Sequence, residues 1–167
     1  MTNIYWYSAV ELAQKIAKGE LKALEVVEAF IERIEKVNPS INAVVVPMFD
    51  QALTLANEAD KKQGRKESLA PLHGVPITIK DQFDIKGLPT TYGVMRFKEH
   101  GCAKNGQMVE ALLAAGAIIL GKTNVPQTLG VIETDNAIWG RTNNPWDLTR
   151  TAGGSSGGES FLSDCRC

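Results

Sequence analysis

Two adjacent serines enclosed by four glycines form the segment of this sequence best suited to chemistry. The segment reads Gly153-Gly154-Ser155-Ser156-Gly157-Gly158 and lies close to the end of the 167 residues. Glycine loses more backbone freedom on folding than any other residue, so this density of glycine indicates backbone angles or close approaches that side chains would block. We therefore interpret the segment as a catalytic loop, in which hydroxyls and backbone amides converge on a developing charge.

Two other interpretations of this segment remain open. Glycine and serine are typical of flexible linkers, although linkers are usually longer and less patterned. A phosphate-binding loop would carry a lysine and then a serine or threonine after its last glycine, whereas Glu159 and Ser160 follow Gly158. Nucleotide binding therefore has little support.

Lys80 is the candidate base. It follows an apolar run over residues 75–79 that is typical of a buried strand, and it is the only ionisable residue that the pattern places at the carboxyl end of such a strand. Burial disfavours the charged form of a lysine, and a neutral lysine can accept a proton from a serine hydroxyl. The alternative is a solvated lysine at a strand end. His73 and His100 are isolated in the sequence and are interpreted as structural residues.

Composition and charge exclude several classes of partner. The chain is 44% hydrophobic and 22% charged, with a formal net charge of −1, which is the ordinary balance of one globular domain. Lysines alternate with glutamates instead of clustering, so no nucleic-acid partner is predicted. The longest uncharged apolar stretch, 111–121, is far shorter than the roughly 20 residues of a membrane span. We predict a cytoplasmic protein with no membrane span.

The cysteines predict neither disulfides nor a metal site. Cys102, Cys165 and Cys167 are odd in number and have no repeated spacing, and no second pair of cysteines or histidines completes a zinc site. Three reduced thiols and no metal are expected.

Hydrophobic periodicity predicts helices that alternate with short apolar strands. Such an order favours an α/β architecture with a mostly parallel sheet flanked by helices, and sites in such folds form at strand ends. The predicted helices are 8–18, ended by Gly19; 21–37, stopped by Asn38-Pro39; 49–62; and 107–115, ended by Gly116. The predicted strands are 41–47, 75–79 and 117–120, with an exposed loop over 64–68 and a turn over 121–124.

Four segments, in order and spacing, resemble the amidase signature family. The resemblance extends from the N-terminal helices to Glu159, and Asn124-Val125-Pro126-Gln127 together with Glu159 is most similar to the branch of general amidases and fatty acid amide hydrolases. The four segments are Gly74-Val75-Pro76-Ile77-Thr78-Ile79-Lys80-Asp81, Gly121-Lys122-Thr123-Asn124-Val125-Pro126-Gln127, Thr142-Asn143-Asn144-Pro145-Trp146 and 153–158.

The resemblance implies the hydrolysis of carboxamide C–N bonds of a small-molecule amide through an acyl-serine intermediate, with no metal or cofactor. Lys80 matches the family's catalytic lysine. Ser155 matches the serine that follows a cis peptide bond and relays a proton between that lysine and the nucleophile. The backbone near Leu129 would lie beside the substrate carbonyl. Loop support is implied for Gly153, Gly154, Ser156 and Gly157.

The chain departs from the family in three places. The acylated serine of the family lies in a second glycine-containing segment, which is absent from these 167 residues together with the oxyanion-hole amides that it supplies. Residues 1–160 are expected to be the N-terminal part of an amidase signature domain, whereas 161–167 form a tail without a family match, and Ser163 in that tail is not expected to act as a nucleophile. Ala152 stands where the family commonly has proline. We therefore expect little or no amidase activity from the chain as written.

Two alternative functions are retained. One is a catalytically silent fragment that persists by pairing with another chain, which is disfavoured because an incomplete sheet would expose apolar surface. The other is a subunit of a glutamyl-tRNA(Gln) amidotransferase, since such subunits share these motifs. The oligomeric state is not predicted.

Overall fold

The computed structural model describes the backbone of residues 4–162 and the side chains of residues 4–159. Helices alternate along the chain with the strands of one small sheet. Short 3₁₀ turns lie at Ile4–Trp6, Met95–Phe97 and Gln127–Leu129. The main elements are α1 (Ala9–Lys18), α2 (Ala23–Ile41), β1 (Val44–Pro47), α3 (Phe49–Gly64), β2 (Pro76–Lys80), α4 (Gln107–Ala114), β3 (Ile118–Thr123) and α5 (Gly157–Leu162).

Helix α1 begins and ends where its sequence predicts. The Ser8 side chain accepts a hydrogen bond from the Glu11 amide, and the Glu11 carboxylate accepts one from the Ser8 amide, which completes a capping box. Gly19 ends the helix with φ 73°, a left-handed angle that glycine adopts without steric cost. The predicted helix over 8–18 is confirmed.

Helix α2 passes through Pro39, so the predicted stop at Asn38-Pro39 is wrong. Proline removes one N–H donor from the last turn. The Asn38 side chain stabilises the chain beyond it, since its Oδ1 accepts from the amides of Ala43 and Val44, each at 2.8 Å. The helix ends instead at Asn42, whose φ of 58° is left-handed.

The sheet has three strands in the order β1-β3-β2. Strand β3 pairs antiparallel with β1 and parallel with β2. This mixed sheet with flanking helices confirms the α/β prediction, and one of its two strand pairs is parallel. The register places Lys80 of β2 beside Thr123 of β3.

Strand β3 continues to Thr123, so the turn predicted over 121–124 is wrong. Every residue of β3 is buried. Gly121 lets β1 approach closely, since a Cβ there would lie 2.6 Å from the Val46 carbonyl oxygen. Lys122, which suggests a surface turn in the sequence, is instead buried beside the carboxylate of Asp81.

Apolar side chains pack on both faces of the sheet. Ile118 and Leu120 of β3 join the larger core formed with α1, α2 and α3, whereas Ile119 between them joins a second core with Val109 of α4. This alternation follows from the two-residue period of a strand. No helix among residues 4–162 is both long and apolar enough to cross a membrane.

Substituting Gly121 tests the close contact between β1 and β3. We expect Gly121→Ala to lower the free energy of unfolding by about 1–3 kcal/mol, because the new methyl group would overlap backbone atoms of β1. Gly64→Ala is the matched control, since a Cβ at Gly64 meets nothing within 4 Å. Urea denaturation followed by circular dichroism measures both variants. Equal stability of the two would contradict the assigned packing.

Candidate active site

Lys80 and Ser155 meet although 75 positions separate them in the sequence. Lys80 is the last residue of β2, and its Nζ donates a hydrogen bond to Ser155 Oγ at 2.9 Å. The peptide bond between Gly154 and Ser155 is cis. Both side chains are half-buried. The structure thus brings together the two residues that the sequence singled out for proton transfer.

The surroundings of Lys80 act on its charge in two opposing ways. Burial lowers the pKa of Lys80 below its ordinary value, because the ammonium group loses hydration. The Glu159 carboxylate acts in the opposite direction and raises this pKa. Burial is the larger effect, so Lys80 loses its proton at a lower pH than an exposed lysine does.

The glycines beside Ser155 are required for two different reasons, a left-handed backbone angle and close packing. Gly153 has φ 81°, in the left-handed region. Gly157 and Gly158 are buried where no side chain fits, because a Cβ would lie 2.3 Å from Thr134 Oγ1 at the first and 2.7 Å from the Asn124 amide nitrogen at the second. The glycine pattern therefore reflects a backbone packed directly against its neighbours.

Thr134 fixes the ends of this loop, and the sequence analysis missed it. Its Oγ1 donates to the Gly153 carbonyl at 2.7 Å and accepts from the Gly157 amide at 3.0 Å, while its own amide donates to the Gly153 carbonyl at 2.9 Å. The threonine is fully buried. No local pattern distinguishes it from other threonines, since its partners lie about twenty positions away.

A hydrogen-bond network of the buried side chains of Asn124, Asn136 and Thr142 is connected to Thr134. Asn124 Nδ2 donates to the Gly140 carbonyl at 2.9 Å and to Thr142 Oγ1 at 3.0 Å. Asn136 Nδ2 donates to Asn124 Oδ1 at 2.8 Å. The Thr142 amide donates to the Thr134 carbonyl at 2.9 Å, which connects the network to the loop.

The expectation that Lys80 is the only ionisable residue at the end of a buried strand is wrong. Lys122 is the second-last residue of the buried strand β3. Lys122 Nζ lies 2.6 Å from Asp81 Oδ1, and neither side chain has any exposed surface. Nζ also donates to the Pro89 carbonyl at 2.7 Å and to Thr90 Oγ1 at 3.1 Å, while the Thr91 hydroxyl donates to the Asp81 carboxylate. Each charge is thus paired and hydrogen-bonded, as burial requires.

Leu129 lies in a different loop from Ser155. It is half-buried in the 3₁₀ turn Gln127–Leu129 with φ 60°, and its amide donates to the Pro126 carbonyl at 3.1 Å. Among the described residues, no hydrogen bond joins Leu129 to Lys80 or to Ser155. The substrate contact assigned to Leu129 therefore stays a prediction.

The remaining candidates lie apart from Lys80 and Ser155 or outside the described residues. His73 is buried with Nε2 3.0 Å from the Ala59 carbonyl oxygen, which fits the structural role predicted for it. Cys102 is a free thiol. Within residues 4–162, no cluster of three or more His, Cys, Asp or Glu side chains is arranged to hold a metal ion. Cys165, Cys167 and Ser163 lie outside the described residues.

Comparison with known proteins identifies the class to which this fold and site belong. The sequence profile of the Amidase family matches residues 25–162. The acylamidase of Rhodococcus erythropolis is 45% identical over 154 residues, which cover 92% of this chain and 32% of that enzyme. A glutamyl-tRNA(Gln) amidotransferase subunit of Streptomyces coelicolor is 41% identical over 160 residues, covering 96% of this chain and 32% of its own length.

A solved structure described as fatty acid amide hydrolase superposes with a TM-score of 0.89 at 35% identity, covering 93% of this chain and 28% of that protein. The chain belongs to the amidase signature family, which confirms the resemblance drawn from the sequence. It spans about a third of the length of the relatives that it matches.

Breaking the buried pair tests its contribution to stability. We expect Lys122→Met to lower the free energy of unfolding by about 3–5 kcal/mol, because Asp81 then remains buried without its counter-charge. Adding Asp81→Asn to this variant should recover part of that loss, since the uncompensated charge is removed. Urea denaturation of the wild type, both single variants and the double variant measures the coupling. Additive losses would contradict the pairing.

Proposed function

We propose that this chain carries the proton-transfer half of an amide-hydrolysing site, with Lys80 as the base and Ser155 as the relay. The observation that carries the proposal is the 2.9 Å hydrogen bond between Lys80 Nζ and Ser155 Oγ. Membership in the amidase signature family supports amide hydrolysis as the reaction class. A small-molecule carboxamide is the proposed substrate, and the chemistry requires no metal or cofactor.

In the first half of the proposed reaction, neutral Lys80 accepts a proton from Ser155 Oγ. Ser155 at the same time accepts the proton of a second serine, whose oxygen attacks the substrate carbonyl carbon. A serine hydroxyl is a weak nucleophile without an adjacent base, and this relay supplies that base. Burial of Lys80 favours this step, because it lowers the pKa of the amine.

In the second half, the proton returns along the same path. The Lys80 ammonium donates to Ser155, and Ser155 passes a proton to the amide nitrogen as the C–N bond breaks. The amine departs and leaves an acyl ester on the second serine. Water then attacks this ester, the same relay accepts one proton of the water, and the second serine regains that proton as its ester bond breaks and the carboxylic acid is released.

The loop that presents Ser155 has a supporting role in this proposal. Gly153, Gly154 and Gly157 hold the backbone in place, and Ser156 lies beside the relay serine. The backbone near Leu129 is proposed to contact the substrate carbonyl. The contacts of Thr134 with Gly153 and Gly157 support the role of the loop, since catalytic groups must be held within about 0.5 Å of the productive geometry.

The second serine and the oxyanion-hole amides are proposed to come from the part of an amidase that these 167 residues do not include. Residues 1–160 would then be the N-terminal part of the catalytic domain, with 161–167 outside it. Losing a single oxyanion donor costs about 10²- to 10³-fold in rate. We therefore expect residues 1–167 alone to hydrolyse amides too slowly to measure.

A chimera tests the roles of Lys80 and Ser155. Residues 1–160 would replace the matching segment of the Rhodococcus erythropolis acylamidase, and hydrolysis of an acylamide substrate of that enzyme would be measured. We expect Lys80→Ala and Ser155→Ala each to lower kcat/KM on the order of 10²- to 10⁴-fold, because each interrupts the relay. Lys62→Ala, at an exposed lysine on α3, is the matched control.

The result depends on folded protein, so each chimera would first be compared by circular dichroism and thermal melting. Folded Lys80→Ala chimeras with activity within a few-fold of the unsubstituted chimera would overturn the proposed base. Equal losses in the Lys62→Ala control would show that the assay reports a general effect of removing positive charge.

The pH dependence of the chimera tests the charge state of Lys80. A lysine that accepts a proton must first lose one, so kcat/KM should rise with pH through the pKa of Lys80. Because burial lowers this pKa, the rise should be centred below the ordinary lysine value. Initial rates measured across the pH range of stable folding give the midpoint. A rate that falls across this range would exclude a neutral lysine as the base.

A second candidate function is the role of an amidotransferase component. It is favoured by the 41% identity to the glutamyl-tRNA(Gln) amidotransferase subunit of Streptomyces coelicolor. The same chimera strategy distinguishes the two, since residues 1–160 can be placed in either parent. Activity restored in the acylamidase but not in the amidotransferase would favour the first proposal.

A further inference from the structure

Glu159 joins three elements around Lys80. It lies in the first turn of α5, four residues after Ser155. One carboxylate oxygen accepts a hydrogen bond from Thr78 Oγ1 of β2 at 3.0 Å, and the other accepts from Thr123 Oγ1 of β3 at 2.7 Å. The carboxylate therefore ties the glycine loop and α5 to the ends of two neighbouring strands.

The strand register places this carboxylate on the same side of the sheet as Lys80. Thr78 and Lys80 are two residues apart on β2, so their side chains leave the same face. Thr123 lies directly beside Lys80 on β3. The two hydroxyls that bind Glu159 therefore flank the base along its own strand and on the neighbouring strand.

We propose that Glu159 is a positioning residue for the Lys80–Ser155 pair, which fastens the serine loop to β2 and β3 and supplies a negative charge that stabilises the Lys80 ammonium formed during proton transfer. This inference rests on the proposed function, because it assigns Glu159 a part in the same proton relay. It concerns regulation of the base, and Glu159 itself transfers no proton.

The charges around Lys80 support this role. Burial lowers the pKa of Lys80, and the Glu159 carboxylate raises it. The other charged groups at these strand ends are Asp81 and Lys122, which are fully buried and neutralise each other at 2.6 Å. Among the described residues, Glu159 is thus the charge that opposes burial, and neutralising it should make Lys80 lose its proton at lower pH.

This arrangement gives the relay two usable states. A lysine that is only buried would be neutral over a wide pH range and would be a poor proton donor to a departing amine. A lysine that is strongly paired with a carboxylate would stay protonated and would be a poor base. Glu159 contacts the threonine hydroxyls instead of forming a direct ion pair with Lys80, and this placement moderates its effect.

The decisive experiment measures the titration of Lys80 in the 167-residue chain and requires no catalysis. Brief acetylation with acetic anhydride at a series of pH values, followed by peptide mass spectrometry, reports the reactive neutral fraction of each lysine. We expect Glu159→Gln to move the Lys80 midpoint to lower pH and to leave the exposed Lys62 unchanged. Glu58→Gln, at an exposed position on α3, is the matched charge control and should move neither midpoint.

The same substitutions in the acylamidase chimera connect the titration to the reaction. Glu159→Gln should move the acid limb of kcat/KM to lower pH. Glu159→Ala removes the anchor as well, and should lower the plateau on the order of 10²-fold because the relay loses its alignment. A purely structural glutamate would change the plateau or the melting temperature without moving the acid limb.

The outcomes separate this inference from the proposed function. An unchanged Lys80 midpoint in folded Glu159→Gln protein overturns the inference. A shifted midpoint supports it even if the chimera is inactive, in which case the proposed function alone fails. Should Glu159→Gln not fold, the double variant Thr78→Val/Thr123→Val keeps the charge but releases the carboxylate, and an unchanged Lys80 midpoint there would also overturn the inference.

Discussion

Because β2 and β3 run parallel, their carboxyl ends bring polar residues together at one edge of the sheet. Lys80 lies beside Thr123, and the Asp81 amide donates to the Thr123 carbonyl at 3.0 Å, which extends the pairing one residue beyond β2. Successive residues of a strand face opposite sides, so Lys80 and Asp81 diverge. A shift of one residue in this register would exchange the two groups, and Lys80 would no longer face Ser155.

The charged side chains on the two faces of the sheet at this end differ in how they are paired. On one side, Asp81 and Lys122 are fully buried and form an ion pair, and Lys122 makes two further hydrogen bonds, so each buried charge is compensated within the protein. On the other side, Lys80 is half-buried and contacts the neutral hydroxyl of Ser155. A permanently paired lysine is suited to structure, whereas a lysine without a direct counter-ion is suited to proton transfer.

Local patterns predicted the parts of the fold that depend on neighbouring residues. The start of the first helix at Ser8, its end at Gly19 and the buried strand before Lys80 all follow from patterns within a few positions. Lys122 could not be assigned in this way, because its pairing with Asp81 depends on the register of two strands that lie about forty positions apart. In the sequence, a lysine that follows a glycine is typical of an exposed turn. Only the folded structure shows that Lys122 is paired with a buried carboxylate.

Two further residues show the same limit. Pro39 predicts a helix end, but the side chain of Asn38 stabilises the following residues, and α2 continues to Ile41. Thr134 supports the glycine loop through contacts with Gly153 and Gly157, and no spacing rule connects it to them. Residue type marked Lys80 and the serines of the glycine loop as candidates, and the family resemblance selected Ser155, whereas the contacts that hold these residues depend on tertiary structure.

The loop over residues 140–144 is held by contacts that are very distant in the sequence. Thr142 Oγ1 donates a hydrogen bond to the Asn42 carbonyl, and Asn143 Nδ2 donates one to the Ser40 carbonyl, across 100 and 103 positions. Closing such long loops costs chain entropy before any contact is gained, so we expect this region to form late in folding and to open earlier than the helical core.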